Sequence, residues 1–243
     1  MEQHDFPAER LAVNDAVSDF GESTVLVTRF VENTPFPDVV TKLGMMGDLL
    51  GRLHTLPLDE SVSRPGGADP AHEGSPRQTL MAALAFLDAV ATKVPASERE
   101  RFEYLRELIL SADDGDGLPE ALIHGNLLHN PDHALLTDHG PVGINWMSAG
   151  RGPRLADFAW LMWGTWRNPA LIDAAENGYR QHIELTDEEL DRFEGVMYVR
   201  PLSLAGFIIR RNILEGKDED ALAFVDPEYL HATAEATRRA FRR

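Results

Sequence analysis

The chain contains no cysteine, which excludes disulfides, thiolate zinc sites, iron–sulfur clusters and cysteine nucleophiles together. Lysine is nearly as scarce. Only Lys42, Lys93 and Lys217 occur, and the other basic residues are arginines. Long apolar runs are missing too: the most apolar stretch, Val196 to Leu214, is interrupted by Arg200 and Pro201, which argues against a membrane span. The opening, Met1 to Arg10, is polar and carries acids, so it does not read as a signal peptide, and a cytoplasmic protein is expected. Basic residues are outnumbered, leaving a formal net charge of −17. That balance argues against a nucleic-acid partner, whose phosphates need a basic surface. It suits a cationic small molecule, although solubility alone accounts for it at least as well.

What is present describes an ordinary globular protein. With 243 residues, 43% of them hydrophobic and 26% charged, the chain can bury a good core as one domain or two closely packed ones. The β-branched run Ser23 to Val31 predicts a strand. A helix is predicted from Pro37-Asp38 to about Thr55, with Val39, Val40, Leu43, Gly47, Leu50 and Leu53 on one face. Residues 58–77 read as a mobile loop, and Pro65-Gly66-Gly67 within them as a linker rather than a phosphate cradle. Further helices are predicted from Gln78 to Val94, then after a capping box at Ser97 to Glu100, with Asp113 to Gly117 as an acidic turn. Arg154 to Trp166 is predicted as one helix, and Asn168-Pro169 opens another running to about Ile183. A second capping box, Thr186 to Glu189, leads a long helix that Pro201 must kink or split. Asp226-Pro227 caps a last helix whose end is basic, with Arg238, Arg239, Arg242 and Arg243. The sum is mainly α with a small β component, an α+β chain.

The segment Ile123-His124-Gly125-Asn126-Leu127-Leu128-His129-Asn130-Pro131, followed by Ile144-Asn145-Trp146, reads as strand, tight loop, two short strands and a second loop entering a tryptophan-rich helix. Here the sequence resembles the aminoglycoside phosphotransferase family, the small-molecule branch of the protein-kinase-like fold. That family's catalytic loop reads H-G-D-x-x-x-x-N, and a strand pair then leads to I-D-W or I-D-F. His124-Gly125 matches, while the family's three key positions fall on Asn126, Pro131 and Asn145. Leu50-Gly51-Arg52-Leu53-His54 resembles the family's L-G-x-L-H helix end, and Leu155-Ala156-Asp157-Phe158-Ala159 its later helix.

The resemblance implies a protein-kinase-like helical lobe over residues 37–243, its catalytic-loop segment at 121–157. Residues 1–36 are expected to be a remnant of the N-terminal lobe strands and hinge, with most of that nucleotide-binding lobe missing. Asp157 is implied to be structural, holding the catalytic loop. The aspartate replaced by Asn126 is the family's proton acceptor, and the other two replaced positions hold magnesium on nucleotide phosphates. ATP and magnesium are therefore expected to be lost, with no resident metal. Asn130, one position early, could slide into the ligand role.

Within this frame the candidate catalytic residues are His124, Asn126, His129 and Asp138, His129 being the best placed new acid or base with Asp132 or Asp138 as partner. Candidate ligand-binding residues are Asn130, Asn145, Trp146, Trp163, Tyr198 and Arg200. Four histidines, His124, His129, His133 and His139, make zinc conceivable, but surface loop positions explain them better. Trp146, Trp160, Trp163 and Trp166 are either core or the wall of a pocket for a cation. Arg200, Arg210 and Arg211 suggest an anionic group or salt bridges on this acidic surface. Without a Gly-x-Ser-x-Gly elbow a serine hydrolase is unsupported.

The leading expectation is a pseudokinase-like protein whose old substrate cleft binds a small molecule or runs an ATP-independent cyclisation, elimination or hydrolysis in biosynthesis or resistance. The second is a scaffold or regulatory subunit that docks a partner, or forms a homodimer, through its hinge face. The third is an active O-phosphotransferase with an atypical metal site.

Overall fold

In the computed structural model the residues described are 4–13, 17–20, 23–58, 75–127 and 133–242. Among them lie eight α-helices and six short strands, the α+β composition expected. None of the described helices is long and apolar enough to cross a membrane.

Strands β1 (Val17–Phe20) and β2 (Ser23–Leu26) form an antiparallel hairpin. The strand expected over residues 23–31 is thus shorter. A strand needs a neighbour for its N–H and C=O groups, and beyond Leu26 the backbone bonds among the described residues are a thin contact with residues 10–12: Ala12 N–H donates to Val27 O (3.0 Å) and Arg29 N–H to Arg10 O (2.8 Å). Helix α1 (Val39–His54) opens where the Asp38 carboxylate accepts the Thr41 N–H at 2.8 Å. It crosses α5 (Pro169–Tyr179) so closely that a Cβ on Gly47 would stand 2.1 Å from Ala175 O, and one on Gly178 2.1 Å from Gly44 O. Glycine is what lets these backbones meet.

Two cores follow. Helices α1, α4 (Arg154–Trp163), α5, α6 (Asp187–Met197) and α8 (Pro227–Phe241) bury Leu50, Phe158, Tyr179, Phe193 and Leu230. Helices α2 (Pro76–Asp88), α3 (Arg99–Ser111) and α7 (Val199–Glu215) bury Leu87, Leu105, Ile109 and Leu202. Tyr198, between α6 and α7, packs against both.

Several boundaries differ from the pattern-based expectation, each for a local reason. Residues Ala96–Glu98 form a tight 3-10 turn, with Glu98 N–H on Pro95 O (3.0 Å), so α3 starts at Arg99 with no side-chain cap and the first capping box does not form. The second one does, at Thr186 and Glu189. The helix expected to reach Val94 ends at Asp88 and gives way to another 3-10 turn, Ala91–Lys93. Helix α4 stops at Trp163, because Trp166 and Arg167 take φ values of 52° and 58°, the left-handed region that a helix cannot continue through. Pro201 splits nothing itself. The break lies at Tyr198, which leaves Pro201 in the first turn of α7, where no N–H is required of it. The linker expected around Pro65-Gly66-Gly67 lies outside the described residues.

Three sheet pieces frame the centre. Strand β3 (Glu120–Ile123) pairs antiparallel with β6 (Gly150–Pro153), which places Ile123 opposite Gly150. Between them β4 (Ala134–Thr137) and β5 (Gly140–Gly143) form a hairpin. An N-terminal strap lies along β5: Gly143 N–H donates to Pro7 O and Glu9 N–H to Gly143 O, both at 2.9 Å. Phe6, buried, meets Trp146 edge-on at 5.9 Å.

Candidate functional site

Strand β3 ends at Ile123, one residue before His124, and β6 runs straight into α4, so the β3–β6 pairing sets the first turn of α4 against residues 124–125. There the Asp157 carboxylate accepts two backbone N–H groups, from His124 at 2.5 Å and from Gly125 at 2.7 Å. Gly125 has φ 79°, and a Cβ on it would lie 2.4 Å from Ser148 O. Only glycine turns the chain here. Behind Asp157 stands His54, its Nε2 at 3.6 Å from Asp157 Oδ2 and its Nδ1 at 2.8 Å from the Tyr179 hydroxyl. With Tyr179 donating to Nδ1, Nε2–H faces the carboxylate. Burial works to raise the Asp157 carboxyl, but His54, His124 and the loop N–H outweigh it and hold it below its ordinary value.

His124 is fully engaged as a neutral ring. Its Nε2–H donates to Ile144 O (2.9 Å), and its Nδ1 accepts the Asn126 N–H (3.3 Å). Burial is the main cause that pushes its pKa below the ordinary value. Trp146 packs on its face, centroids 4.5 Å apart. His124 and Trp146 therefore both shape the loop. His133, stacked on His124 at 6.0 Å, closes the other side: Nδ1 donates to Asn126 O, and Nε2 accepts from Asn145 Nδ2 at 3.3 Å. Sequence reasoning weighed His133 only for zinc, and its spacing carries no sign of this bracket.

Asn126 itself is half-buried, and its Oδ1 accepts a hydrogen bond from Trp160 Nε1 at 3.2 Å. The Arg200 guanidinium donates to Gly125 O and stands over the Trp160 ring at 5.4 Å. Trp160 stacks flat on Trp163, 4.7 Å and 8° apart. Asn145 is exposed in a left-handed conformation (φ 65°), and its N–H donates to Glu9 Oε1 at 2.7 Å. Glu9 thus brings a carboxylate to the position where the sequence carries only an amide. No sequence signal pointed to it, because it arrives through the tertiary strap.

Other expected site residues go elsewhere. Asp138 is exposed in the β4–β5 turn, about 16 Å of chain away from His133, so it is not brought to the loop. His139 shares that turn. Tyr198 fills the joint between the two cores, and burial raises its pKa. Arg211 pairs with Glu219 and Arg210 lies over Phe86, which favours their structural reading. His129, Asn130, Pro131 and Asp132 lie outside the described residues. Among the described residues no group of three His, Asp or Glu side chains is arranged to hold a metal. Magnesium, however, commonly takes one or two carboxylates and completes its shell with phosphate oxygens and water. The hard oxygens of Glu9 and Asn145 fit that pattern.

A strand–loop held by a helix aspartate, followed by a hairpin and a second loop, defines the phosphotransfer half of a protein-kinase-like fold. The profile described as the phosphotransferase enzyme family (APH) matches residues 11–193, and the chain belongs to that family. A search of curated proteins finds no match. Among solved structures the chain is similar to the Plasmodium vivax ethanolamine kinase, with 14% identity, a TM-score of 0.61, and coverage of 99% of this chain and 70% of that one. It is similar to aminoglycoside phosphotransferase APH(3'')-Id from Streptomyces rimosus in complex with ADP and streptomycin, with 19% identity, TM-score 0.57, and coverage of 83% and 78%. It is also similar to an amicoumacin kinase in complex with AMP-PNP, Ca2+ and Ami, with 12% identity, TM-score 0.59, and coverage of 97% and 74%. These likenesses show the fold.

They correct one expectation and leave another without support. A frame emptied of nucleotide and metal was expected, yet structures of this fold hold ADP, or AMP-PNP with Ca2+. The expectation rested on three replaced side chains alone, Asn126, Pro131 and Asn145. The alignment over 99% of the chain includes its N-terminal residues and does not support the expectation that most of the N-terminal lobe is missing.

Proposed function

We propose that the chain binds a small organic molecule together with a nucleotide in its family's frame, and transfers phosphate far more slowly than a member with aspartate at position 126. One observation carries this reading. Asn126 is a neutral amide pinned by Trp160, on a loop whose backbone is nonetheless held by Asp157, His124 and His133. The device that positions a substrate is kept, and the proton acceptor is absent. Phosphoryl transfer depends mainly on positioning and electrostatics, so losing the acceptor lowers the rate by about 10²–10⁴ without abolishing binding. A divalent cation would sit at Glu9 and Asn145, and when bound it would neutralise charge on the nucleotide phosphates.

The test has two readouts. Mg-ATP raises the wild-type melting temperature, since a ligand of the native state stabilises it. Asn126→Asp transfers phosphate to hydroxylated or aminated small molecules faster than wild type by about 10²–10⁴. Wild-type turnover at about 1–100 s⁻¹, the usual kinase range, would overturn the proposal, as would a flat melting curve with nucleotide.

A second reading is favoured by Phe30, 87% exposed, with Leu26 and Val27 also open to solvent: self-association through the hinge face. Light scattering checks it. A dimer should return to monomer in Phe30→Ser, and a wild type that stays monomeric at every concentration removes the idea.

A further inference from the structure

The far end of α7 and the start of α3 enclose a cavity of about 290 Å³. Helix α7 carries Arg200 in its first turn, on the loop, and Ile213 near its end, roughly 20 Å further along the axis at about 1.5 Å per residue. The cavity therefore stands apart from the phosphotransfer loop. Its floor is apolar: Val94, Phe102, Ile209 and Ala221 line it and are buried in the second core. One wall, the two 3-10 turns that lead into α3, brings Lys93 and Glu98. The other is the segment after α7. Gly216 (φ 67°) ends that helix, and Asn212 holds the returning chain through both amide atoms: its Nδ2 donates to Glu219 O at 2.7 Å, and its Oδ1 accepts the Glu219 N–H at 3.3 Å. That wall brings Lys217 and Asp218.

The charges around this cavity divide into two sets. Arg101 pairs with Asp220 and Arg211 with Glu219, so those four neutralise one another. Lys93, Glu98, Lys217 and Asp218 also line the cavity, are exposed, and form no ion pair among the described residues. Two of the chain's three lysines thus stand at one cavity, each sharing its wall with a carboxylate that it does not engage. A ligand of single charge would meet as much repulsion as attraction over this floor. A ligand that carries both charges meets an opposite partner for each, and an apolar body covers the floor.

We propose that this cavity binds a free α-amino acid with an apolar side chain. Its carboxylate meets the ammonium groups of Lys93 and Lys217, its ammonium meets the carboxylates of Glu98 and Asp218, and its side chain lies on the floor formed by Phe102 and Ile209. Exposed ion pairs are individually weak, so burial of the side chain supplies most of the affinity and the two charged contacts set the selectivity. The inference does not depend on phosphate transfer, and its test needs no nucleotide.

Isothermal calorimetry on the wild-type chain compares leucine with three compounds that each lack one feature. Isoamylamine has no carboxylate, 4-methylpentanoate no ammonium, and glycine no side chain. Saturable binding of leucine is expected, with each of the three weaker by about tenfold or more. Two double variants locate the site: Lys93→Gln with Lys217→Gln removes the cations, and Glu98→Gln with Asp218→Asn removes the acids. Each should weaken leucine binding about three- to tenfold. All four positions are exposed, and Glu98 makes no side-chain cap on α3, so the melting temperature of the unliganded protein should stay where it is. No saturable binding of leucine, a truncated compound that binds as tightly as leucine, or leucine affinity unchanged in either double variant would each overturn the proposal.

Discussion

Trp160 Nε1 donates a hydrogen bond to Asn126 Oδ1 at 3.2 Å, tying the loop residue that replaces an acid to the first ring of the tryptophan stack. The bond fixes which way the amide points. Trp160→Phe keeps a ring and removes the donor, and should lower the unfolding free energy by about 1–3 kcal/mol from the lost bond and the smaller side chain. Pairing it with Asn126→Ala in a double-mutant cycle should return a coupling of about 0.5–1.5 kcal/mol by urea unfolding. Strict additivity would show that the two residues do not interact.

Asp157 holds two loop N–H groups with its two oxygens. Asn in its place offers one acceptor and sets an NH2 group against the other donor. Asp157→Asn should therefore cost about 1–3 kcal/mol for the stranded donor. Faster amide hydrogen exchange at His124 or Gly125 than at Leu50 would locate the loss in the loop.

Acid should destabilise the fold in two stages. His124 is held by burial below its ordinary value of about 6.5, so the unfolded chain takes up a proton there that the native chain refuses. The unfolded state then binds more protons below 6.5, and stability rises with pH across that window. The contribution is whole above 6.5 and falls as pH drops toward the folded value. Asp157, His133 and Glu9 are the titratable groups acting on it, and the two acids oppose the shift. Asp157, held below 3.8, adds a second loss as pH falls through its own folded value. Urea midpoints measured from about pH 8 to pH 5 should decline, and His124→Gln should flatten the upper part of that slope. An unchanged slope in the variant would assign the decline to other groups.

The α1–α5 crossing gives the sharpest stability test. A Cβ on Gly178 would lie 2.1 Å from Gly44 O and 2.6 Å from Asp48 N, both backbone atoms that no rotamer change can move. Gly178→Ala should cost at least about 1–3 kcal/mol, even though alanine is the better helix former. Thermal unfolding decides the sign: a raised melting temperature would mean that the crossing relaxes freely.

The family frame was legible in the sequence because its signals are local. His124-Gly125 needs a tight turn after a strand, and Asp157 sits at a fixed distance into the next helix, so their order alone carried the loop and its support. The capping box at Thr186–Glu189 was legible for the same reason, being closed within four residues. The box predicted at Ser97 failed because Pro95 favoured a tight turn that periodicity does not register. Asp138 looked close to the loop in sequence, yet a hairpin carries it away. Trp166 looked helical, yet the left-handed pair at 166–167 turns it out of α4.

By itself, then, the sequence determined the α+β class, the phosphotransferase family and the absence of an acid at position 126, because each is written in adjacent residues or in strict spacing. Only the tertiary structure decided what surrounds that position. Glu9 reaches Asn145 across 136 positions, His133 turns back on Asn126, and Arg167 folds over Tyr229 beside Asp226. These pairings depend on strap, hairpin and helix end being packed against one another, a three-dimensional constraint that no local pattern encodes.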